Sequence, residues 1–466
     1  MATELAANPG FGALPNELVM SIIDCMPIEN PKDIRNLSLT SRRMYLLSLD
    51  HLYNHILVSC PWPLTRTLLH DPKLAARVQQ VTWNLSTGQD NSSENRKMLS
   101  RLMRSFEPVG VKPSINYERL TATWRDHEFM AFFITVTPAI ETLTIKETYG
   151  WRDDVYWFGK PISEAGTLQN LRNVHIHGPL CLEQIAHLFR VPSLRNVTVV
   201  DIVQLERQNH DYVEWNDEIP LYTVLERGVS GVENIVLKRA CVETETLAHF
   251  TEACRQLKSF AYEHDVHNNL RSRRSPNLIS KFESLSSVLT HNRASLERLS
   301  VRGDHHMLYQ KHMLQLARLA SRMSNLRSLD MGLIAHDDDP DQCTPEFVAE
   351  LVRYLPPTLE ELTFEIDWQE HWGSKGWEGP TEILRHLADI APATLPLLRR
   401  VAVVDWPPKL GHFPPDFAML YQCFAEHNIH FASIPVTIDA PDPIRISDCV
   451  EPGWVFVEVA DVEWHY

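Results

Sequence analysis

The sequence lacks the features that define several large classes of protein. Its 466 residues include only 17 glycines, against 30 prolines, which argues against collagen-like and glycine-rich disordered chains. The longest mostly apolar run, residues 129–136, is much shorter than the roughly 20 residues that a membrane-spanning helix requires. The first residues form neither a basic nor a long apolar leader. We therefore expect a protein of the cytoplasm, the nucleus or both, with no membrane partner.

Basic residues are in the minority. Lys and Arg number 44 against 60 Asp and Glu, which gives a net charge of −16. Because binding to nucleic acid depends largely on basic side chains that neutralise phosphates, we expect no nucleic-acid partner. The eight cysteines form no CxxC pair, so neither a zinc ribbon nor a redox motif is indicated.

The chain also lacks the motifs of common enzymes. It contains no GxSxG elbow, no cysteine-histidine signature and no glycine-rich phosphate loop. His175 and His177 lie close together, but no further ligands follow at the spacing of a zinc site, so solvated histidines are favoured. We predict no catalytic residue, no metal site and no cofactor.

Three helices are predicted within the first sixty residues. Apolar Leu18, Ile22 and Met26 recur at four-residue steps, which is the spacing of one helix face. Ser41 can cap a third helix that extends through Ile56. So small a unit has a marginal core and commonly leans on a partner or a neighbouring domain.

The same stretch resembles an F-box, although the family's late tryptophan is missing. The resemblance is carried by the strings Leu14-Pro15-x-Glu17-Leu18 and Leu37-x-Leu39-Thr40-Ser41-Arg42-Arg43-Met44. In that family the Leu-Pro turn and apolar side chains insert into the Skp-type adaptor of a cullin–RING ubiquitin ligase. The resemblance implies adaptor-binding roles for Leu14, Pro15, Leu18, Ile22, Leu37 and Leu39. Periodicity alone is also consistent with side chains that merely close a helical N-terminal cap.

An internal repeat occupies most of the remaining chain. The pattern apolar-x-x-apolar-x-apolar occurs nine times between residues 140 and 403, at steps of about 32 residues, with a more distant copy at 78–83. Each copy ends in the alternation of a short strand, and helical spacing follows in several intervening segments. These segments are 180–190, 243–256, 309–323 and 346–354.

The repeated strings resemble leucine-rich repeats, which implies parallel strands on a concave face and helices on a convex one. The family's asparagine, three residues after the last apolar strand position, is absent from all nine copies, so we expect an irregular array. We predict an α/β protein with an F-box at 1–60 (core 12–58), a hinge or connector at 61–75, a leucine-rich-repeat-like solenoid at 76–430 and a C-terminal β-type cap at 431–466.

Two sets of residues are candidates for binding a target. Side chains that alternate with buried strand residues face the concave surface, and there Lys238, Arg298 and Arg302 form a basic patch suited to an acidic or phosphorylated segment. The loop 367–377 supplies a residue type enriched at interface hot spots. Its tryptophans are Trp368, Trp372 and Trp377. Packing of that loop against its own solenoid is the alternative use.

The sequence and its resemblances together predict a substrate-recognition subunit of a ubiquitin ligase. A Skp-type adaptor, and through it a cullin, would bind the N-terminal helices, and the repeats would bind a protein target. Catalysis would then come from proximity alone, so the chain would need no catalytic residue. A protein-binding scaffold with no ubiquitylation role is the alternative, and an undetected hydrolase ranks last.

Overall fold

A computed structural model describes most of the chain. In those residues no helix is both long and apolar enough to cross a membrane. The described residues are 14–26, 31–58, 61–85, 133–134, 136–147, 168–180, 182–203, 225–264, 282–302, 310–333, 344–366, 378–405 and 418–435.

The described chain begins with three helices that have a small core of their own. Val19, Ile23 and Met44 form its buried centre. The buried face of the first helix therefore lies one residue beyond the predicted positions Leu18 and Ile22. The helices are α1 (Asn16–Asp24), α2 (Pro31–Ser38) and α3 (Arg42–Asn54).

Helix α3 begins where the sequence predicts and ends earlier. The Ser41 side chain accepts a hydrogen bond from the backbone N–H of Met44 at 3.2 Å, as expected of an N-cap. The helix ends at Asn54, and Ile56 lies in a strand rather than in the third helix. That strand, β1 (His55–Val58), begins within the stretch predicted as the F-box.

The backbone passes from α3 into the sheet without a break. Strand β1 pairs in parallel with β2 (Gln80–Leu85), and the Gln79 N–H donates to the Asn54 carbonyl at 3.0 Å. Arg77 also forms an ion pair with Asp50 of α3. The stretch 61–75, predicted as a hinge or connector, contains two helices, α4 (Pro61–His70) and α5 (Pro72–Ala75).

A parallel sheet of twelve strands forms the body of the described chain. The strands follow one another in sequence order from β1 to β12, as a repeat array requires. After β2 they are β3 (Thr142–Glu147), β4 (Asn173–Leu180), β5 (Asn196–Val203), β6 (Asn234–Cys241), β7 (Ser259–His264), β8 (Arg298–Arg302), β9 (Ser328–Leu333), β10 (Glu361–Ile366), β11 (Arg400–Asp405) and β12 (His430–Pro435).

The apolar positions of the repeated pattern form the core. Leu299, Leu329 and Leu362 occupy equivalent positions of neighbouring strands and are exposed by 2%, 0% and 0%. The three apolar positions of each of the nine copies are buried in the same way. The predicted register of the repeats is therefore confirmed.

Helices between the strands cover the apolar side of the sheet. The segments with helical spacing are helical, although the segment at 180–190 contains a 3₁₀ helix (Leu182–Arg190). Phe189 of that 3₁₀ helix packs edge-to-face on Phe250, with ring centroids 4.8 Å apart. The remaining α-helices are α6 (Thr244–Ala253), α7 (Phe282–Val288), α8 (Gln310–Ala320), α9 (Pro345–Tyr354), α10 (Glu378–Thr394) and α11 (Ala418–Ala425).

The last described strand continues the array. Strand β12 pairs in parallel with β11, and Phe431 stands in register with Val401 and is buried. The repeat register thus extends five residues into the stretch predicted as a β-type cap. The rest of that stretch, 436–466, lies outside the described residues, and the cap stays a prediction.

Candidate functional site

Large apolar side chains lie exposed on α1 and in the turn that follows α2. Leu18, Ile22 and Leu39 are exposed by 53%, 36% and 75%. Leu18 and Ile22 share one face of α1 because they stand four residues apart on the helix. We call these three side chains the N-terminal apolar surface. Contiguous exposed apolar side chains, such as Leu18 and Ile22 on α1, commonly mark a protein-binding site.

Contacts at both ends of α1 fix which of its faces is exposed. At the start, Arg43 of α3 donates from Nε to Asn16 Oδ1 at 2.9 Å, and from Nη2 to the Leu14 carbonyl. At the end, His51 Nε2 lies 2.6 Å from Asp24 Oδ1. The start of α1 contacts the start of α3, and the end of α1 contacts the end of α3. The two helices therefore run side by side in the same direction.

The other residues expected to bind an adaptor have different surroundings. Pro15 is exposed and stands just before α1 as its N-cap residue, where its carbonyl accepts from the Val19 N–H at 3.1 Å. Leu14 and Leu37 are half-buried and pack against the small core. Replacing either leucine would therefore also loosen the helical unit, which makes Leu14 and Leu37 poor positions for testing a binding surface.

The side chains that alternate with the buried strand residues form the second candidate surface. We call it the polar face of the sheet. In β3, for example, Thr142, Thr144 and Lys146 lie on this face, while Leu143 and Ile145 lie in the core. The candidate residues Lys238, Arg298 and Arg302 also belong to it.

A ladder of side-chain amides crosses the polar face at the first position of successive strands. Asn173 donates to Thr142 Oγ1 at 3.0 Å, Asn196 donates to Asn173 Oδ1 at 2.6 Å, and Asn234 donates to Asn196 Oδ1 at 2.6 Å. Arg298 completes it by donating to Asn234 Oδ1 at 3.3 Å. This ladder was not predicted, although asparagine at the same position of three successive repeats is a visible signal in the sequence.

Arg302 is paired within the chain. Its Nε and Nη2 both donate to Asp330 Oδ2, at 2.9 and 2.6 Å, and the Ser300 hydroxyl donates to the same oxygen at 3.0 Å. Glu263 of β7 stands in register with Arg302 on the other side. Acidic groups thus flank Arg302 on both neighbouring strands, which offsets the positive charge expected of the predicted patch.

Lys238 lies with a different set of groups. It is exposed on β6, while Lys146 of β3 stands in register with His177 of β4. Burial lowers the pKa of His175, and burial together with Lys146, His175, Arg239 and Lys238 lowers the pKa of His177. We call Lys146, His175, His177 and Lys238 the basic cluster. Lys238 therefore lies two strands from His177 and acts on its pKa across Val200 of β5. It also lies two strands from Arg302, with Glu263 of β7 between them.

Trp368, Trp372 and Trp377 lie outside the described residues, and their role in binding stays a prediction.

The metal-ligating side chains of the described ranges are dispersed. No three His, Cys, Asp or Glu side chains of the described ranges lie close enough together to hold a metal ion. Cys254 is fully buried, and burial raises the pKa of its thiol to about 12. Because the thiolate is the nucleophilic form, this cysteine is inert at neutral pH.

Comparison with known proteins assigns the chain to no family, because no protein-family model and no curated protein matches it.

Proposed function

We propose that this protein is the substrate-recognition subunit of a ubiquitin ligase built on a Skp-type adaptor and a cullin. Its N-terminal helices bind the adaptor, and its repeats bind a protein target. The chain itself supplies no catalytic group in this proposal, because holding a target beside the transferring subunit accelerates the reaction by proximity.

The observation that carries the proposal is the exposure of the N-terminal apolar surface. A helix that only closed the end of the repeat array would bury its apolar side chains, as α1 buries Val19 and Ile23. Leu18 and Ile22 point away from that core, and Leu39 is the most exposed of the three. These are among the residues for which the F-box resemblance implies contact with an adaptor.

The connection between the N-terminal helices and the sheet also supports this proposal, in which the helices bind the adaptor and the repeats bind the target. Helix α3 runs directly into β1, and the contacts of Gln79 with Asn54 and of Arg77 with Asp50 hold the two parts together. A target bound to the repeats would therefore be held at a set position relative to the adaptor. Such positioning is what proximity catalysis requires.

Co-purification with a Skp-type adaptor tests the proposal. The double variant Leu18→Ser/Leu39→Ser should bind the adaptor at least about 100-fold more weakly, since burial of each leucine contributes about 1.5 to 3 kcal/mol. Both side chains are exposed, so the fold of the variant should be unaffected. Leu397→Ser, at an exposed leucine between α10 and β11, is the matched control.

Replacing each of two neighbouring isoleucines distinguishes an effect on adaptor binding from an effect on stability. Ile22→Ala removes an exposed side chain and should weaken adaptor binding without lowering stability, whereas Ile23→Ala removes a fully buried one and should cost about 2 to 5 kcal/mol of stability. Full adaptor binding by the folded double variant would contradict the proposal.

A reconstituted assay distinguishes the ligase subunit from a scaffold. With adaptor, cullin and RING subunit present, ubiquitin should be transferred to proteins that the repeats bind. Adaptor binding without any such transfer would favour the scaffold alternative.

A further inference from the structure

The basic cluster stands out in a chain of net charge −16. Its members come from three strands that are far apart in sequence, and parallel pairing brings them to the carboxyl ends of those strands on the polar face. In register, Lys146 faces His177, His177 faces Val200, and Val200 faces Lys238. Four basic or imidazole groups thus share one region.

In the part of the chain that the structure describes, the groups that shift the pKa of His177 act in one direction. The groups that act on its pKa are Lys146, His175, Arg239 and Lys238, and each of them lowers it. The carboxylate of Asp201 is close by but is held by Arg239 Nη2 at 2.7 Å. Toward β7, Glu263 follows Tyr262, which stands in register with Leu237, so one carboxylate lies between Lys238 and Arg302. Arg302 also pairs with Asp330, whereas the groups that act on His177 are basic.

The backbone departs from regular strand geometry next to the basic cluster. Asp201 and Arg239 have φ angles of 64° and 48°, and Gly178 has a φ of 138°. The pairing register shifts after His177 and again after Leu237. A bulge at this place re-aims side chains and ends the regular alternation, so the cluster marks one edge of the polar face.

We propose that the basic cluster binds a segment of the target protein that carries clustered negative charge. Carboxylate or phosphate groups of that segment would contact Lys238 and the two imidazoles. The inference rests on the proposed function for the repeats as the target-binding part, and it moves the binding site from β8 to β3, β4 and β6. Charge complementarity is the argument for this partner, because anionic groups relieve the mutual repulsion within the cluster.

Proton uptake should accompany binding. An anion beside His175 and His177 favours their imidazolium forms, so binding should strengthen as the pH falls from about 7.5 to about 6. Among the described residues, the charged groups around these imidazoles are Lys146, Lys238 and the Asp201–Arg239 pair.

Fluorescence anisotropy with the purified full-length chain tests the proposal. The probes are three short labelled peptides in which glutamate, phosphoserine or glutamine alternates with glycine, together with single-stranded oligothymidylate. We expect both anionic peptides to bind, with an affinity that falls between about 50 and 200 mM salt, and the glutamine peptide not to bind. The tighter of the two anionic peptides identifies the source of the charge.

Matched variants locate the site. Lys238→Gln should weaken binding of the anionic peptides about two- to five-fold, as the loss of one exposed charge contact does. Lys73→Gln removes the same charge from an exposed lysine of α5 and should leave binding unchanged. His177→Gln should have little effect near pH 7.5 and a larger one near pH 6.

Three results would overturn the inference. They are equal binding of the glutamine peptide, equal effects of Lys238→Gln and Lys73→Gln, and binding of oligothymidylate as tight as that of the peptides. Adaptor co-purification by Lys238→Gln is measured in parallel. If the peptides fail to bind while the adaptor still does, the inference fails alone; if the adaptor fails to bind while the peptides do, the proposed function fails instead.

Discussion

Replacing Leu329 with Ala should destabilise the centre of the sheet by about 2 to 5 kcal/mol. Leu329 is fully buried and stands in register with Leu299 of β8 and Leu362 of β10. The change removes three carbon atoms, and about 0.8 kcal/mol per buried methylene gives about 2.4 kcal/mol for the lost transfer free energy alone. The cavity that remains adds to this cost.

The cavity should collapse little, which places the expected cost in the upper half of that range. Main-chain pairing on both sides fixes the backbone of β9 between β8 and β10. The neighbouring leucines are themselves buried and cannot move into the space without leaving contacts of their own.

Hydrogen exchange of the full-length chain measures this effect strand by strand. Because each repeat contacts mainly its neighbours, amides of β8 to β10 should lose protection while those of β3 and β4 keep theirs. Leu397→Ala makes the same chemical change at a side chain that is 44% exposed and should cost less than about 1 kcal/mol. Equal costs for Leu329→Ala and Leu397→Ala would refute the stacked-core reasoning.

Two further predictions concern the histidines and the amide ladder of the polar face. Burial lowers the pKa of His55, His175 and His177, so the unfolded chain takes up protons first and stability should fall as the pH drops below about 6.5. Urea midpoints measured across that range check this, and a smaller loss is expected for His175→Gln. Asn196→Ala removes two side-chain hydrogen bonds of 2.6 Å and should cost about 1 to 3 kcal/mol in urea denaturation. Unchanged stability, with Ser328→Ala as the control at the same strand position, would show that the ladder contributes nothing.

The sequence determined the repeat and its core because the relevant pattern is local. Alternation over a few residues decides which side chains of a strand can be buried together, and this predicted the stacking of Leu299, Leu329 and Leu362. The sequence signals for helix starts are equally local. The Ser41 side chain accepts from the Met44 N–H at 3.2 Å and caps α3, as the sequence predicts.

The sequence could not determine which face of α1 lies inside. Leu18 and Ile22 recur at the same four-residue spacing as Val19 and Ile23, so periodicity fits both faces. Packing against Met44 of α3 selects the second pair, and the first is left exposed.

Tertiary structure alone decided the charge of the polar face. Arg302 and Asp330 belong to different strands, and so do Lys238 and His177, and their proximity depends on the register of the sheet. A formal charge read from the sequence gives no account of such pairing. The electrostatic character of a surface depends on distances between side chains, and folding sets those distances for residues that lie tens of positions apart in the chain.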